Sequence, residues 1–445
     1  MGKVAVGFGS VTITPPLGTN MAGYFYPRGA EDVLDDLLAQ AVAIEAGNDA
    51  LILVACDLAG VDAGLVAEAR DFVAGQINFP RERVCIGATH IHTGPDVVVR
   101  DPAIDKQVTR YRELLAQLIG SAAVEAWRRR KPGVIRWARG EAGHLCFNRR
   151  YRMKDGTVQT NPGRLNPNIV GPVGPTDPEV GILAFEAPDG APAGFVVTFS
   201  LHCDTHGGNS ITAEYPYFLR TAIAEALQAP VTTLFFAAPC GDVNHVDVTK
   251  EGLKGRANSQ MIGEELARQV LAAIKSAQPV EVDRIRVARD VLEMPCRRPS
   301  EELKYQGLGT LGENWRDFYS CYVADGVGQM RFSMDRHAMR DALLLDELNV
   351  TSRTVELWCA ALGDVGIATV PGELFVELGL EIKRKSPFKR NLLFELANGS
   401  VGYIPTKKAF AEGSYETTLR RSSCLIEDAG DRMVSRVTEL LEGLQ

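Results

Sequence analysis

Residues 84–96 read VCIGATHIHTGPD. A short apolar run, Val84 to Ile86, leads to two histidines one residue apart, His90 and His92, and then to a Gly94–Pro95 break. An apolar run closed by such a breaker reads as a buried strand of an α/β sheet. Side chains alternate along a strand, so a strand running on through His92 aims both imidazoles at one site. That site lies at the strand's C-terminal end, where open α/β sheets place their ligands. Paired imidazoles there present two metal ligands, or one ligand and one proton-transfer group; the bland alternative is a chance surface pair. The Gly94–Pro95 turn is expected to free the strand end for a substrate.

Two further apolar strands end the same way. FSLHCDTHGGNS (199–210) carries His202 and His206, and VTTLFFAAPCGDVNH (231–245) carries Cys240, Asp242, Asn244 and His245. The helical pattern of 213–228 lies between them and makes a βαβ unit. Five of the seven histidines thus fall at three strand ends. This favours a transition-metal site, zinc first, over five unrelated buried histidines. A closed structural site would want four ligands, often thiolates. In IATVPGELF (367–375), Glu373 follows a turn and reads as a ligand, a helix N-terminal charge, or both. On its residues alone, Tyr403 reads as a packed aromatic.

The remainder reads as an α/β chain with a mixed β-sheet core, flanking helices and the metal site at strand ends. Residues 4–14 suggest an opening strand pair, and 40–60 a hairpin around Gly47-Asn48-Asp49. Helices are expected over 64–77, 105–130, 257–277 and 428–444, with 300–348 helix-rich and strands at 282–296, 354–370 and 391–405. The Pro/Gly-rich stretch 161–178 reads as a long loop, and with 300–345 it is expected to shape the pocket. No repeat or linker interrupts the 445 residues, which read as one domain, 1–445. The net charge of −8 argues against nucleic acid or an anionic membrane as partner. The basic runs 128–131 and 383–385 read as helix ends. The nine cysteines are dispersed and without a CxxC, which suits buried free thiols. With no signal-peptide pattern and no apolar run of membrane-spanning length, the expectation is a cytoplasmic protein.

Several segments together resemble the catalytic domain of the neutral/alkaline (non-lysosomal) ceramidase family. GATHIHTGPD is similar to its GTHTHSGP segment, FSLHCD to FAxHP, APCGDVN to CGDVSPN and TVPGELF to VPGE. VGYIPT is similar to the segment where a Tyr precedes Ile-x-Thr, and CFNRR to an N-R-S segment. The opening VGFGSVTITPPLGTNMAGY is similar to G-x-x-x-D-I-T-P-P followed by M-x-G-Y. These run in order from residue 7 to about 405. The resemblance implies one zinc ion per chain held by His90, His202, Glu373 and Tyr403, with His92 and Arg149 lining the reacting centre. It implies hydrolysis of an N-acyl amide, in ceramide or a smaller N-acylated compound, by metal-activated water. His92 would protonate the leaving amine, His92 and Tyr403 would contact the oxyanion, and Arg149 would orient a substrate oxygen. Asp242 would fix a histidine tautomer or the strand-end turn.

The chain departs from the family pattern at Cys203, at Asn244 (where serine is common) and at His245, and it adds His206. No C-terminal immunoglobulin-like domain and no secretory signal are expected. Two other readings stand beside the zinc amidase: a thiol hydrolase with Cys240 as nucleophile and His202 or His245 as base, and a non-catalytic sensor that keeps the metal pocket.

Overall fold

The computed structural model describes residues 4–98, 106–325 and 329–445. Its first sheet is built from Val4–Thr12 (β1), Leu38–Ala46 (β2), Asp49–Cys56 (β3), Val84–Ala88 (β4), Lys131–Glu141 (β5), Glu179–Glu186 (β6), Pro192–Phe199 (β7) and Thr232–Ala237 (β8). The order is β8-β7-β6-β5-β1-β2-β3-β4, with the short strand Gln278–Pro279 added beside β5. The β3–β4 and β7–β8 pairs are parallel, and the other pairs along this path are antiparallel. A second sheet joins Ile285–Pro295 (β9), Ser352–Leu362 (β10), Val365–Val370 (β11) and Arg390–Glu395 (β12) in that order. Only its β11–β12 pair is parallel.

Both faces of the strands are apolar because both are covered. On β3, Ile52 and Val54 face one core while Leu51 and Leu53 face another. The first core is closed by α1 (Ala63–Ile77), α2 (Lys106–Arg128), α3 (Glu214–Leu227) and α4 (Gly255–Ala273). The second is the contact between the two sheets, where Phe236 of β8 stacks on Phe394 of β12 with ring centroids 4.1 Å apart. Trp358 of β10 is fully buried in the same contact and donates its indole N–H to Glu82 O at 2.7 Å. Beyond α5 (Glu301–Leu311) and α6 (Met334–Glu347), the outer face of the second sheet is covered by α7 (Val376–Lys385) and α9 (Ala429–Glu442), with the short α8 (Lys407–Glu412) between them in sequence. The layers therefore run helix, sheet, sheet, helix.

The mixed sheet flanked by helices is present, but doubled. The apolar runs 354–370 and 391–405 build a second sheet on the first, a choice that periodicity leaves open. Residues 4–12 form one strand instead of a pair. Gly7 and Gly9 bring β1 against the backbone of α2, where a Cβ would lie 2.2 Å from Ala126 O and 2.1 Å from Ala122 O. The 40–60 hairpin is present as β2 and β3. The helix expected over 105–130 is α2, with residue 105 outside the described residues, and the two basic runs fall at the C-terminal ends of α2 and α7. The loop 161–178 contains a strand, Ile169–Pro172, paired with Arg150–Met153. Among the described residues no helix is long and apolar enough to cross a membrane.

Candidate metal and catalytic site

Strand β4 stops at Ala88, two residues short of the first histidine. Thr89 N–H and His90 N–H then donate to Cys56 O and Leu58 O, both at 2.9 Å, on the neighbouring strand end. His90 takes φ +71°, a left-handed conformation that a bulky residue adopts only when its surroundings hold it there. Strand alternation therefore does not aim the two rings; this local twist does. Ile91 bridges to Cys203, which draws the segment after β7 alongside. The Gly94–Pro95 turn is buried beneath residues 21–22 and does not open the strand end.

Three imidazoles converge here. His90 Nε2 lies 3.0 Å from His202 Nε2 and 3.4 Å from His92 Nε2. The three offer ligand atoms that all lie within 4.8 Å of one another, and all three residues are buried. Glu373, carried by the turn after β11, places Oε2 3.6 Å from His90 Nε2 and 3.4 Å from His202 Nε2. That oxygen is buried and has no hydrogen-bond partner. His90 Nδ1 meets Ala59 O at 2.7 Å and His202 Nδ1 meets Cys240 O at 3.0 Å. A carbonyl only accepts, so both δ nitrogens carry the proton and both ε nitrogens turn a lone pair to the centre.

Two lone pairs 3.0 Å apart beside an orphaned carboxylate oxygen repel unless a cation lies among them. A metal ion fits this set, and pinned δ nitrogens are how metal-binding histidines are usually held. Without an ion, one proton does part of the work. Burial lowers the His90 pKa, but the Glu373 carboxylate outweighs it and brings His90 up to about 9. Burial, with Arg149 and His90 adding to it, pushes His202 down to about 3. Burial would raise Glu373, yet the imidazoles of His202 and His90 beside it hold it well below the usual carboxylate range. His92 differs from its neighbours. Its Nδ1 is buried with no hydrogen-bond partner, Asp204 standing 3.8 Å away, and burial beside His90 holds its pKa well below normal.

Arg149 enters from the side. Its Nη1 lies 3.4 Å from His202 Nε2, Nη2 donates to Gly241 O at 2.7 Å and to Tyr403 Oη at 3.1 Å, and Nε donates to Glu416 at 2.9 Å. Tyr403 pairs with Glu373 in a short parallel bridge and packs edge-on against Tyr415, with centroids 5.6 Å apart. Gly241 is required between these parts, since a Cβ there would sit 2.3 Å from Glu373 O. Asp242 touches none of the histidines. It accepts Val376 N–H at 2.8 Å at the start of α7 and Asn148 Nδ2 at 2.8 Å, so it fixes the strand-end turn. Burial pushes its carboxyl up to about 6. Cys240 is fully buried, and its thiol donates to Glu395 Oε1 at 2.9 Å. Burial and Glu395 both raise that thiol's pKa, the reverse of what a thiolate nucleophile needs.

His90, His92, His202, Glu373, Arg149 and Tyr403 are thus brought together, while His206 and His245 stay outside the imidazole cluster. Two buried carboxylates escape sequence reading. Glu214, the first residue of α3 with φ +52°, accepts from the backbone of His92 at 3.1 Å, from Thr93, and from Thr205 and His206. Burial raises it to about 8. Glu395 accepts the N–H groups of Cys240 and Leu374 and is also raised to about 8 by burial. A signal existed for neither, because an acid at a helix start and an acid ending a strand are both commonplace.

No family model and no curated protein sequence matches the chain. Its fold is that of neutral ceramidase from Pseudomonas aeruginosa, with a TM-score of 0.75 and 15% identity, covering 100% of this chain and 75% of that one. A structure described as ceramidase complexed with C2 is similar at a TM-score of 0.75 and 14% identity, with the same coverage. The chain thus spans about three quarters of those chains' length.

Proposed function

We propose that this protein is a zinc-dependent amidohydrolase that cleaves an N-acyl bond. One observation carries the reading: two ε-nitrogen lone pairs and an orphaned carboxylate oxygen face one another at the strand ends of a fold shared with neutral ceramidase. His90, His202, Glu373 and Tyr403 would hold the ion. When bound, zinc supplies the Lewis acidity that polarises an amide carbonyl and brings the pKa of water to about 7.

The chain's own groups divide the remaining work. His92 alone among the three histidines lacks a partner on Nδ1, which suits a ring that exchanges protons better than one fixed as a ligand. It takes the proton that the attacking water gives up and passes it to the leaving amine. Arg149 is buried and tied to Glu416 and Tyr403, so its charge is already oriented when an oxygen develops negative charge beside it. Tyr403 Oη, held by Arg149, adds a hydroxyl at the same place. Glu214 keeps the His92 backbone in position, and Asp242 ties the Gly241 turn to the separate segment that carries Asn148 and Arg149.

The test is metal content measured together with turnover of a panel of N-acyl compounds, ceramides included. Chelation should abolish turnover, and zinc should restore it. Full activity without bound metal refutes the reading, and bound zinc with no turnover of any N-acyl compound leaves a non-catalytic metal pocket in its place.

A further inference from the structure

A cleft of about 210 Å³ adjoins the reacting centre, where Arg149 and His202 line it together with Asn161, Arg164, Asn244 and His245. Its apolar lining is limited to Val246 and Val248. Two physical facts set what such a cleft can take. It is smaller than the roughly 300–1,000 Å³ that holds a drug-sized ligand. Each methylene of an acyl chain also gains about 0.8 kcal/mol only where apolar surface receives it, and two valines receive little.

The polar groups point to a charge. Arg164 has no carboxylate partner among the described residues; its Nη1 reaches only Lys250 O, at 3.3 Å. His245 Nδ1 is buried without a hydrogen-bond partner. Asn244 binds Asn161 Oδ1 through its amide at 2.8 Å, which fixes the wall between them. Asp204 also lines the cleft and its charge acts on His245, but its close contacts lie elsewhere: it accepts the Tyr24 hydroxyl at 2.7 Å and stands 3.8 Å from His92 Nδ1. The cleft therefore presents a guanidinium with no carboxylate partner among the described residues and a spare imidazole nitrogen, Asp204 forming an ion pair with neither.

Resting on the amidohydrolase reading, we propose that the substrate is a small N-acyl compound bearing a carboxylate, of the N-acyl amino acid kind, whose carboxylate is held by Arg164 and His245. A guanidinium fork matches a carboxylate with two charge-assisted hydrogen bonds, which a neutral amide in the same place cannot equal.

The experiment compares zinc-loaded wild type, Arg164→Gln and Arg164→Lys on three probes: short-chain N-acyl amino acids, the same compounds with the carboxylate converted to an amide, and ceramide in mixed micelles. Wild type should prefer the carboxylate over its amide by about tenfold or more in kcat/KM, mostly through KM. Arg164→Gln should erase that preference with zinc content unchanged, and Arg164→Lys should restore part of it. Thermal stabilisation by the carboxylated compound, lost in Arg164→Gln, reads the same contact without turnover. Equal use of carboxylate and amide, preference for ceramide, or an Arg164→Gln variant with the wild-type preference overturns the proposal. Failure to hydrolyse any of the three, with thermal stabilisation retained, instead overturns the amidohydrolase reading and leaves the anion subsite standing.

Discussion

Replacing Glu214 by alanine tests whether a carboxylate that catalyses nothing holds the site together. Its two oxygens accept from His92 N–H, Thr93 Oγ1, Thr205 N–H and Oγ1, and His206 N–H. His92 N–H keeps a second acceptor in Cys203 O, and Thr205 Oγ1 keeps Ser259 Oγ. The N–H groups of Thr205 and His206 have no other acceptor among the described residues. Each buried donor left unpaired costs roughly 1–3 kcal/mol, and the vacated side chain adds a cavity. Glu214→Ala should therefore lose about 4 kcal/mol. Glu214→Gln keeps one oxygen toward Thr205 and His206; its amide NH2 can donate to the Thr93 hydroxyl but no longer accepts the His92 N–H, which keeps Cys203 O as its acceptor. With burial raising the carboxyl to about 8, the group is mostly neutral at pH 7, so the amide is a close substitute; about 1 kcal/mol is expected. Urea denaturation of the metal-free protein measures both. An alanine variant within about 1 kcal/mol of wild type refutes the reasoning.

Three other outcomes follow from the same structure. Gly241→Ala should destabilise the protein and lower its metal content, because the new Cβ meets Glu373 O at 2.3 Å and backbone cannot yield as a side chain does; unchanged zinc content would contradict this. Trp358→Ala should lose about 3–5 kcal/mol on denaturation while keeping bound metal, since Trp358 is fully buried in the contact between the sheets. Glu395 has a folded pKa of about 8 against an ordinary 4.5. Its contribution to stability is fully present below 4.5 and is lost as pH rises through about 8. Relative to wild type, Glu395→Gln should thus gain stability between pH 5 and pH 8.5, and a constant difference between the two would sink the assignment.

Much of the site was legible because histidine is scarce here and strands end where ligands sit. His90, His92 and His202 needed no more than that, and Glu373 was visible as a carboxylate after a strand and a turn. What failed was the route by which they meet. The alternation argument for His90 and His92 assumed a strand that stops at Ala88, and a left-handed φ of +71° has no signature in a histidine codon's neighbours. Arg149 and Tyr403 came from family resemblance alone, since a buried arginine and a packed tyrosine acquire meaning only through what stands opposite. Asp242 was expected to hold a tautomer or a turn and holds the turn. Glu214, Glu395 and the second sheet were missed for one reason: each depends on contacts between segments far apart in sequence, which local periodicity does not record.

The most direct test is zinc content and turnover measured together on wild type, His90→Ala and His92→Ala. Wild type should carry one zinc per chain and hydrolyse an N-acyl compound; His90→Ala should lose both the metal and the activity; His92→Ala should keep the metal and lose the activity. Equal metal loss in the two variants, or undiminished turnover by metal-free wild type, would contradict the assignment of these histidines.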